Sequence, residues 1–440
     1  MSAPLSQARE SEEPVADRGP RTARGTAGKL GGSLIASIGL GYVLTVACAR
    51  LLPPDQYATF VTFWGLLMGL GSALSPLEQE LSRQSAVAAL TGGRAGRGAL
   101  RAVATGVGAA AVFGLCLLIP PVNERLFHGT WELALTVLCG GVAFACQFGI
   151  RGLLIGQHQV KHFSWLVVAE PAFRAIVLGA LVVATAYNLV TLALAVAAGS
   201  FAWLLFVRQT RDLVDVYAVG GGWSVTVRRM LMLLLGAALT ASVITGYPAL
   251  VGLLAPGGDR GRIGALFAAL VIARLPLTLI GPVQSLAVPF VVRLSTSTEG
   301  RHRLRRVLSL GTLVSLALAA LGAVVGALIG PWAVRFVNGA GYQVDSWAVA
   351  GLVWSSVLLV PMQLLTAVLV ARTQARRVLV TWAVVAATAA VLLLVIPGDT
   401  VLRAVVALAA APTVGLVVVL IFVLGKSPVE ATSDTGETSS

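Results

Sequence analysis

Long apolar runs, separated by short polar connections, dominate this chain of 440 residues. Most of the runs reach about twenty residues, which is the length that a helix needs to cross the hydrocarbon core of a bilayer. Hydrophobic residues make up 57% of the chain and charged residues only 12%, a balance far from that of soluble globular proteins. The pattern predicts an all-α polytopic membrane protein with about twelve transmembrane helices. The predicted spans lie near residues 30–51, 56–77, 99–119, 131–153, 163–186, 188–207, 228–254, 264–292, 307–330, 346–370, 378–396 and 400–425.

A short repeated pattern divides the twelve spans into two sets of six. Pro76 at the end of the second span and Pro289 at the end of the eighth are each followed, after four residues, by Leu-Ser. Because six is an even number, both halves would have the same orientation, related by a pseudo-two-fold axis along the membrane normal. The predicted domains are a disordered cytoplasmic tail (1–29), an N-terminal six-helix bundle (30–207), a cytoplasmic linker (208–227), a C-terminal six-helix bundle (228–425) and a second disordered cytoplasmic tail (426–440).

Basic residues are distributed unevenly between the two sides of the predicted membrane. Of the 32 lysines and arginines, 24 lie on the side that carries the N-terminus, six lie on the opposite side and two fall within spans. Such an excess is typical of cytoplasmic connections. The count predicts a multi-pass protein of the cytoplasmic membrane with both termini in the cytoplasm. It also accounts for the formal net charge of +13 without a nucleic-acid partner.

The eighth predicted span combines a charge with several prolines. Arg274 lies near the middle of this apolar stretch, and Pro276, Pro282 and Pro289 follow it. A mid-membrane arginine costs at least ~2.5 kcal/mol, so it usually faces a bundle interior or a watery cavity. Because prolines bend helices and free backbone carbonyls, we interpret these three as hinge candidates. We interpret Arg274 as a substrate-binding residue of a cavity; the alternative is an arginine that a neighbouring carboxylate neutralises, with a role only in packing.

A second intramembrane charge pair lies in the fifth predicted span. Glu170 and Arg174 are four residues apart on one helical face, with the acid before the base. One interpretation is a self-neutralising pair that lowers the cost of membrane insertion. The other makes Arg174 a contact for a substrate headgroup and Glu170 its resting counter-ion or a proton carrier.

Three charged residues end the second predicted span. Glu78, Glu80 and Arg83 lie at the predicted cytoplasmic boundary. Two acidic residues are unusual there, because most charged residues of that surface are basic. One interpretation is an interfacial salt-bridge network that holds the second span to the eighth or to nearby loops. The other is a gate that breaks and re-forms as the two halves move.

Motifs of catalytic or energy-coupling chemistry are absent from the sequence. No G-x-x-x-x-G-K-[ST] phosphate-binding loop is present, so the chain encodes no ATP-driven pump. No His, Asp or Glu cluster has metal-ligand spacing, and the four cysteines lie inside apolar runs. We predict no enzymatic activity, no metal and no other cofactor.

Two short motifs resemble a known family of transporters. Residues 49–60, ARLLPPDQYATF, resemble the A-R-x-L-x-P-x-x-Y-G-x-F pattern of the polysaccharide transporter family, which includes oligosaccharide flippases. Gly339-Ala340-Gly341-Tyr342 also resembles that family, whereas Ala58 stands where glycine is usual. The family belongs to the multidrug/oligosaccharidyl-lipid/polysaccharide (MOP) exporter superfamily.

The resemblance implies an alternating-access transporter that flips an isoprenoid-linked oligosaccharide or polysaccharide precursor across the cytoplasmic membrane. The headgroup would cross in a cavity between two bundles while the lipid tail stays in the bilayer. The implied partners are the lipid-linked glycan, the lipid bilayer and glycan-assembly enzymes. One alternative is a drug or metabolite antiporter of the same superfamily, although the first span lacks the acidic residue that drug-cation antiporters often use there. The other is a membrane-embedded glycan-assembly protein without transport activity.

Overall fold

Helices make up nearly all of the residues that the computed structural model describes, which are 20–90, 93–215, 223–275, 277, 298–372 and 374–424. This part of the chain contains no strand, only an isolated bridge between Ala95 and Val214. A 3₁₀ segment, Gly199–Phe206, joins α7 to α8. The α-helices are α1 (Pro20–Leu51), α2 (Pro54–Leu90), α3 (Arg97–Leu117), α4 (Pro120–Phe127), α5 (Trp131–Gly156), α6 (Val160–Val183), α7 (Leu189–Ala198), α8 (Val207–Arg211), α9 (Trp223–Ile244), α10 (Tyr247–Leu254), α11 (Arg260–Ala273), α12 (Thr298–Asn338), α13 (Ser346–Ala371), α14 (Ala375–Val395) and α15 (Thr400–Leu424).

Ten helical segments of the described chain are long and apolar enough to cross a membrane, which confirms the prediction of an all-helical, multi-pass membrane protein. One of them, Leu189–Arg211, comprises α7, the 3₁₀ segment and α8. The first predicted span corresponds to α1, whose apolar part is the shorter stretch Ser37–Leu51. The eighth predicted span begins as α11, and its remainder lies almost wholly outside the described residues.

The beginning of α1 differs from the sequence prediction. This helix starts at Pro20, so residues 20–29 are helical where the sequence predicted a disordered tail. Proline is favoured in the first turn of a helix, where its missing N–H group has no intrahelical partner to lose. Alanines at positions 23 and 27 then favour continuation of the helix.

The seventh predicted span is broken instead of continuous. α9 ends at Ile244 and α10 begins at Tyr247, with Pro248 in its first turn. Proline disfavours a helix that continues through it, because its ring clashes with the preceding turn and it lacks an N–H donor. Gly65 of α2 packs against the break, where an added Cβ would lie 2.6 Å from the carbonyl oxygen of Thr245. The break therefore lies where α2 crosses the C-terminal half.

Contacts of α2 join the N-terminal half of the described chain (residues 20–215) to the C-terminal half (residues 223–424). α2 packs against both α9 and α11. At the beginning of α2, the backbones of α2 and α11 approach each other very closely, because a Cβ added to Gly264 of α11 would overlap the carbonyl oxygen of Pro54. Small residues allow such backbone contact between membrane helices. We call the end of the molecule at which α2 begins the Pro54 side and the end at which it finishes the Leu90 side.

Candidate functional site

A central cavity of about 490 Å³ lies between the two halves. Its walls come from α1 and α2 on one side and from the α9–α10 break, α11 and α13 on the other. Among the described residues that line it, Arg274 is the one charged side chain. The aromatic and polar lining residues besides Arg274 include Tyr42, Thr45, Trp64, Thr245 and Gln363.

Arg274 follows the last residue of α11 and is half-buried against the cavity. Its Nη2 atom donates a hydrogen bond of 3.0 Å to the carbonyl oxygen of Val243, which belongs to the last turn of α9. The carbonyl end of a helix carries a partial negative charge, so it offsets part of the arginine's charge. The Nε atom is buried and has no hydrogen-bond partner among the described residues. The hinge candidates Pro276, Pro282 and Pro289 lie outside the described residues.

Glu170 and Arg174 form an ion pair inside the N-terminal half. The distance from Glu170 Oε1 to Arg174 Nη2 is 2.5 Å, and Arg174 Nε also donates to the carbonyl oxygen of Val196 at 2.9 Å. α5 supplies two further partners for the carboxylate: Arg151 Nη2 at 2.9 Å and Gln147 Nε2 at 2.5 Å. The sequence did not indicate the participation of Arg151. Neither Glu170 nor Arg174 lines the central cavity as described.

Glu78 belongs to this N-terminal cluster and not with Glu80 and Arg83. Its carboxylate interacts electrostatically with Arg151 and Glu170. Residues two apart on a helix point in directions roughly 200° different, so Glu78 and Glu80 face opposite sides of α2. The contacts of the described residues thus place Glu78 with Arg151 and Glu170, and Glu80 with Arg83 and Arg229.

Glu80 links the two halves on the Leu90 side. Its side chain is 8% exposed and accepts hydrogen bonds from Arg83 at 2.7 Å and from Gln84 at 2.8 Å. Its second oxygen lies 3.3 Å from Arg229 Nη2, on α9. The sequence predicts an interfacial network to the eighth span or to nearby loops; among the described residues, the partner outside α2 is Arg229 of α9.

The two motifs that carried the family resemblance meet on the Pro54 side. The Tyr342 hydroxyl contacts the carbonyl oxygens of Ala49 at 2.8 Å and Leu52 at 3.0 Å, and its ring packs edge-on against Tyr57 at 5.5 Å between centroids. Burial raises the pKa of Tyr342, as do Asp55 and Cys48 nearby, so its hydroxyl stays protonated and can donate. Arg50 donates to the carbonyl oxygens of Phe336 and Val337 at the end of α12. We call the contacts of Arg50, Tyr57 and Tyr342 the tyrosine clasp.

The fold is similar to that of solved transporters of the MOP superfamily. A multidrug-resistance MATE family transporter of that superfamily, in its inward-facing conformation, matches with a TM-score of 0.63 over 92% of this chain and 100% of its own, at 13% identity. The lipid II flippase MurJ, in an inward closed conformation, matches with a TM-score of 0.62 over 91% of this chain and 88% of its own, also at 13% identity. At such identities the likeness extends to the fold alone. These structural neighbours are transporters and not enzymes.

Relatives by sequence come from mycobacteria. The uncharacterised protein Rv1510 of Mycobacterium tuberculosis is 29% identical over 411 residues, which cover 92% of each chain. The uncharacterised protein Mb3654 of Mycobacterium bovis is 26% identical over 430 residues, covering 96% of this chain and 97% of the relative. No family model matches the sequence.

Proposed function

We propose that this protein flips an isoprenoid-linked oligosaccharide or polysaccharide precursor across the cytoplasmic membrane by alternating access. It would act as a member of the polysaccharide transporter family, with twelve spans in two six-helix bundles over residues 30–207 and 228–425. Both termini would lie in the cytoplasm, so the Pro54 side would be extracytoplasmic. Glycan-assembly enzymes would be its functional partners.

The proposal is supported chiefly by Arg274 in the central cavity. A lipid-linked glycan carries phosphate, and this anion must leave bulk water while the headgroup crosses. A guanidinium stays charged and can donate two parallel hydrogen bonds to phosphate oxygens. The described lining of the cavity contains no carboxylate that would compete for Arg274. A bound phosphate would therefore add a full counter-charge to the partial charge that Val243 supplies.

An apolar groove beside the cavity supports a lipid-linked substrate. It has a volume of about 400 Å³ and lies between α2, α3, α9 and α10, and its lining includes the exposed side chains of Leu231 and Leu235. Gly65 lines both this groove and the central cavity. A headgroup beside Arg274 would thus lie close to a surface on which a hydrocarbon chain could rest without water contact.

Contacts on both sides of the cavity support alternating access. The tyrosine clasp joins the halves on the Pro54 side, and the Glu80–Arg229 ion pair joins them on the Leu90 side. The hydrogen bonds of the clasp and the ion pair of Glu80 can exchange with water when the halves separate. In the proposed cycle one set breaks while the other holds.

A drug antiporter of the same fold is the main alternative, because a MATE transporter is among the structural neighbours. A cationic drug would meet Arg274, a fixed positive charge, in a cavity whose described lining lacks an acid. Like charges in such a site repel, so the electrostatics favour an anionic substrate.

Reconstituted protein can test the proposal directly. In proteoliposomes with a fluorescent isoprenyl-diphosphate oligosaccharide, dithionite reduces only the probe in the outer leaflet. Arg274→Ala should reduce flipping at least tenfold and Arg274→Lys should retain part of it, because lysine keeps the charge and loses the paired hydrogen bonds. Arg335→Ala, at an exposed arginine that does not line the described cavity, is the control. Full flipping by Arg274→Ala would refute the proposal.

A further inference from the structure

A second polar cavity lies on the Pro54 side of the molecule. It has a volume of about 410 Å³ and is lined from both halves by α2, α4, α10, α11 and the beginning of α15. We call it the Pro54-side cavity. Arg125, His128 and Arg260 line it, and among its described lining residues Glu124 is the one carboxylate. The cavity therefore has an excess of positive charge.

Helix stability does not explain the position of Arg260. This arginine is the first residue of α11, where the positive end of the helix dipole disfavours a cation. The Asp259 cap accepts hydrogen bonds from the backbone N–H groups of Gly261 and Arg262. The Arg262 side chain is paired with Asp345 at 3.0 Å and with a second aspartate on the loop before α15. Within the described chain, the Arg260 side chain has neither an ion pair with a carboxylate nor a side-chain hydrogen bond.

The other cationic groups of the cavity come from α4 and the turn after it. Arg125 lies in the last turn of α4, where a cation stabilises the helix. Its position alone would therefore not indicate an anion-binding site. His128 follows with the left-handed backbone angle φ of 53°, and it lines the same cavity as Arg260. Burial and Arg260 lower the pKa of His128, while Glu124 opposes the shift. The histidine is therefore neutral at neutral pH and can gain charge on acidification.

α11 aligns this cavity with the central one. Arg260 and Arg274 are fourteen residues apart, which corresponds to about 21 Å along the helix and a rotation of only about 40°. The two arginines therefore lie on one face of α11, with Phe267 between them. Pro248 lines both cavities, so the first turn of α10 separates them.

We infer that the Pro54-side cavity is a second anion-binding site, which takes the phosphate or carboxylate group of a glycan headgroup after it leaves Arg274. Arg260 supplies the principal charge, and Arg125 and His128 complete the site from the N-terminal half. Since residues of both halves form it, the site changes shape when the halves move apart. The assignment of the glycan rests on the proposed function, whereas the binding of an anion does not.

A cysteine in the wall of the cavity can report its electrostatic potential. Ile263 lines the cavity one turn after Arg260, and Ile263→Cys would be introduced into protein whose four native cysteines are replaced by alanine. The purified protein in detergent is treated with an anionic and a cationic methanethiosulfonate reagent, and the ratio of the two rates is measured. Arg260→Gln should lower the anion-to-cation ratio by about fivefold or more, because one of the nearest charges is lost. Arg335→Gln, at an exposed arginine outside the described lining of the cavity, is the matched control.

Inorganic pyrophosphate and glucuronate, added separately, distinguish phosphate from carboxylate as the recognised group. At least one should slow labelling of the cysteine in the protein with native arginines, and Arg260→Gln should remove this protection. Arg125→Gln provides a second variant if Arg260→Gln does not insert. The site would be refuted by equal changes in the ratio for Arg260→Gln and Arg335→Gln, or by the absence of protection. Protection without glycan flipping would overturn the proposed function alone, and flipping without protection would overturn the second site alone.

Discussion

Replacing Glu170 by glutamine would remove one of four charges that the N-terminal half holds together in its interior. In their ionised forms, the carboxylates of Glu170 and Glu78 and the guanidinium groups of Arg151 and Arg174 sum to zero. Glu170→Gln leaves a net positive charge, Arg174→Gln leaves a net negative charge, and the double change restores neutrality through Glu78 and Arg151. We therefore expect the double variant to be more stable than the sum of the single changes predicts.

The burial of the pair sets the expected magnitude. The side chains of Arg174 and Glu170 are 6% and 13% exposed. Removing one partner of a buried ion pair costs about 3–5 kcal/mol when the other charge is left without compensation. Glu170 keeps Arg151 and Gln147 as partners, so we expect the low end of that range. Arg174→Gln also removes the hydrogen bond to Val196, which adds about 1 kcal/mol. The coupling energy between the two positions should reach about 2 kcal/mol.

Reversible unfolding in mixed detergent micelles, measured for both single variants and the double variant, gives this coupling energy. Glu132→Gln is the control, since it makes the same chemical change in the first turn of α5, outside the cluster. Additive destabilisation, or a Glu170→Gln protein as stable as the native one, would refute the charge-balance reasoning. A well-inserted double variant that is as inactive as Arg174→Gln would instead favour the headgroup role of Arg174.

Three further predictions follow from the contacts between the halves. Gly264→Ala should destabilise the protein by about 1–3 kcal/mol, because the added Cβ overlaps the backbone of α2. Gly311→Ala is the control and should not destabilise the protein, because nothing lies within 4 Å of its Cβ. Equal free energies of unfolding for the two variants would contradict this close packing. Glu80→Gln should lengthen the distance between spin labels on α2 and α9 at the Leu90 side, because the ion pair to α9 is lost. An unchanged distance distribution, measured by electron paramagnetic resonance, would count against a gate. Because the pKa of His128 is lowered, the anion-to-cation labelling ratio at Ile263→Cys should be constant above pH 6.5, the ordinary pKa of histidine, and should rise on acidification. His128→Gln should abolish this rise, and a rise that persists in the variant would exclude His128 as its source.

The sequence by itself determined the helical, membrane-spanning character of the chain and the local charge pairs. Apolar runs of sufficient length must form helices in a bilayer, because no water is present there to satisfy the backbone. The spacing of Glu170 and Arg174 likewise predicted their contact, since residues four apart are neighbours on any helix. Arg274 could be recognised as exceptional because a charge in an apolar run is costly wherever the helix packs.

Only the tertiary structure decided which helices meet and where a span is interrupted. Arg151 contacts Glu170 from a different helix, and Glu80 contacts Arg229, which is 149 positions away in the sequence. Helix packing brings each of these pairs together. The separation of Glu78 from Glu80 also depends on which side of α2 faces each neighbour. These arrangements are set by backbone approach at small residues such as Gly65 of α2, and one helix's own periodicity carries no information about its partner. The central cavity arises from that packing, where a broken helix, α2 and α11 meet around Arg274.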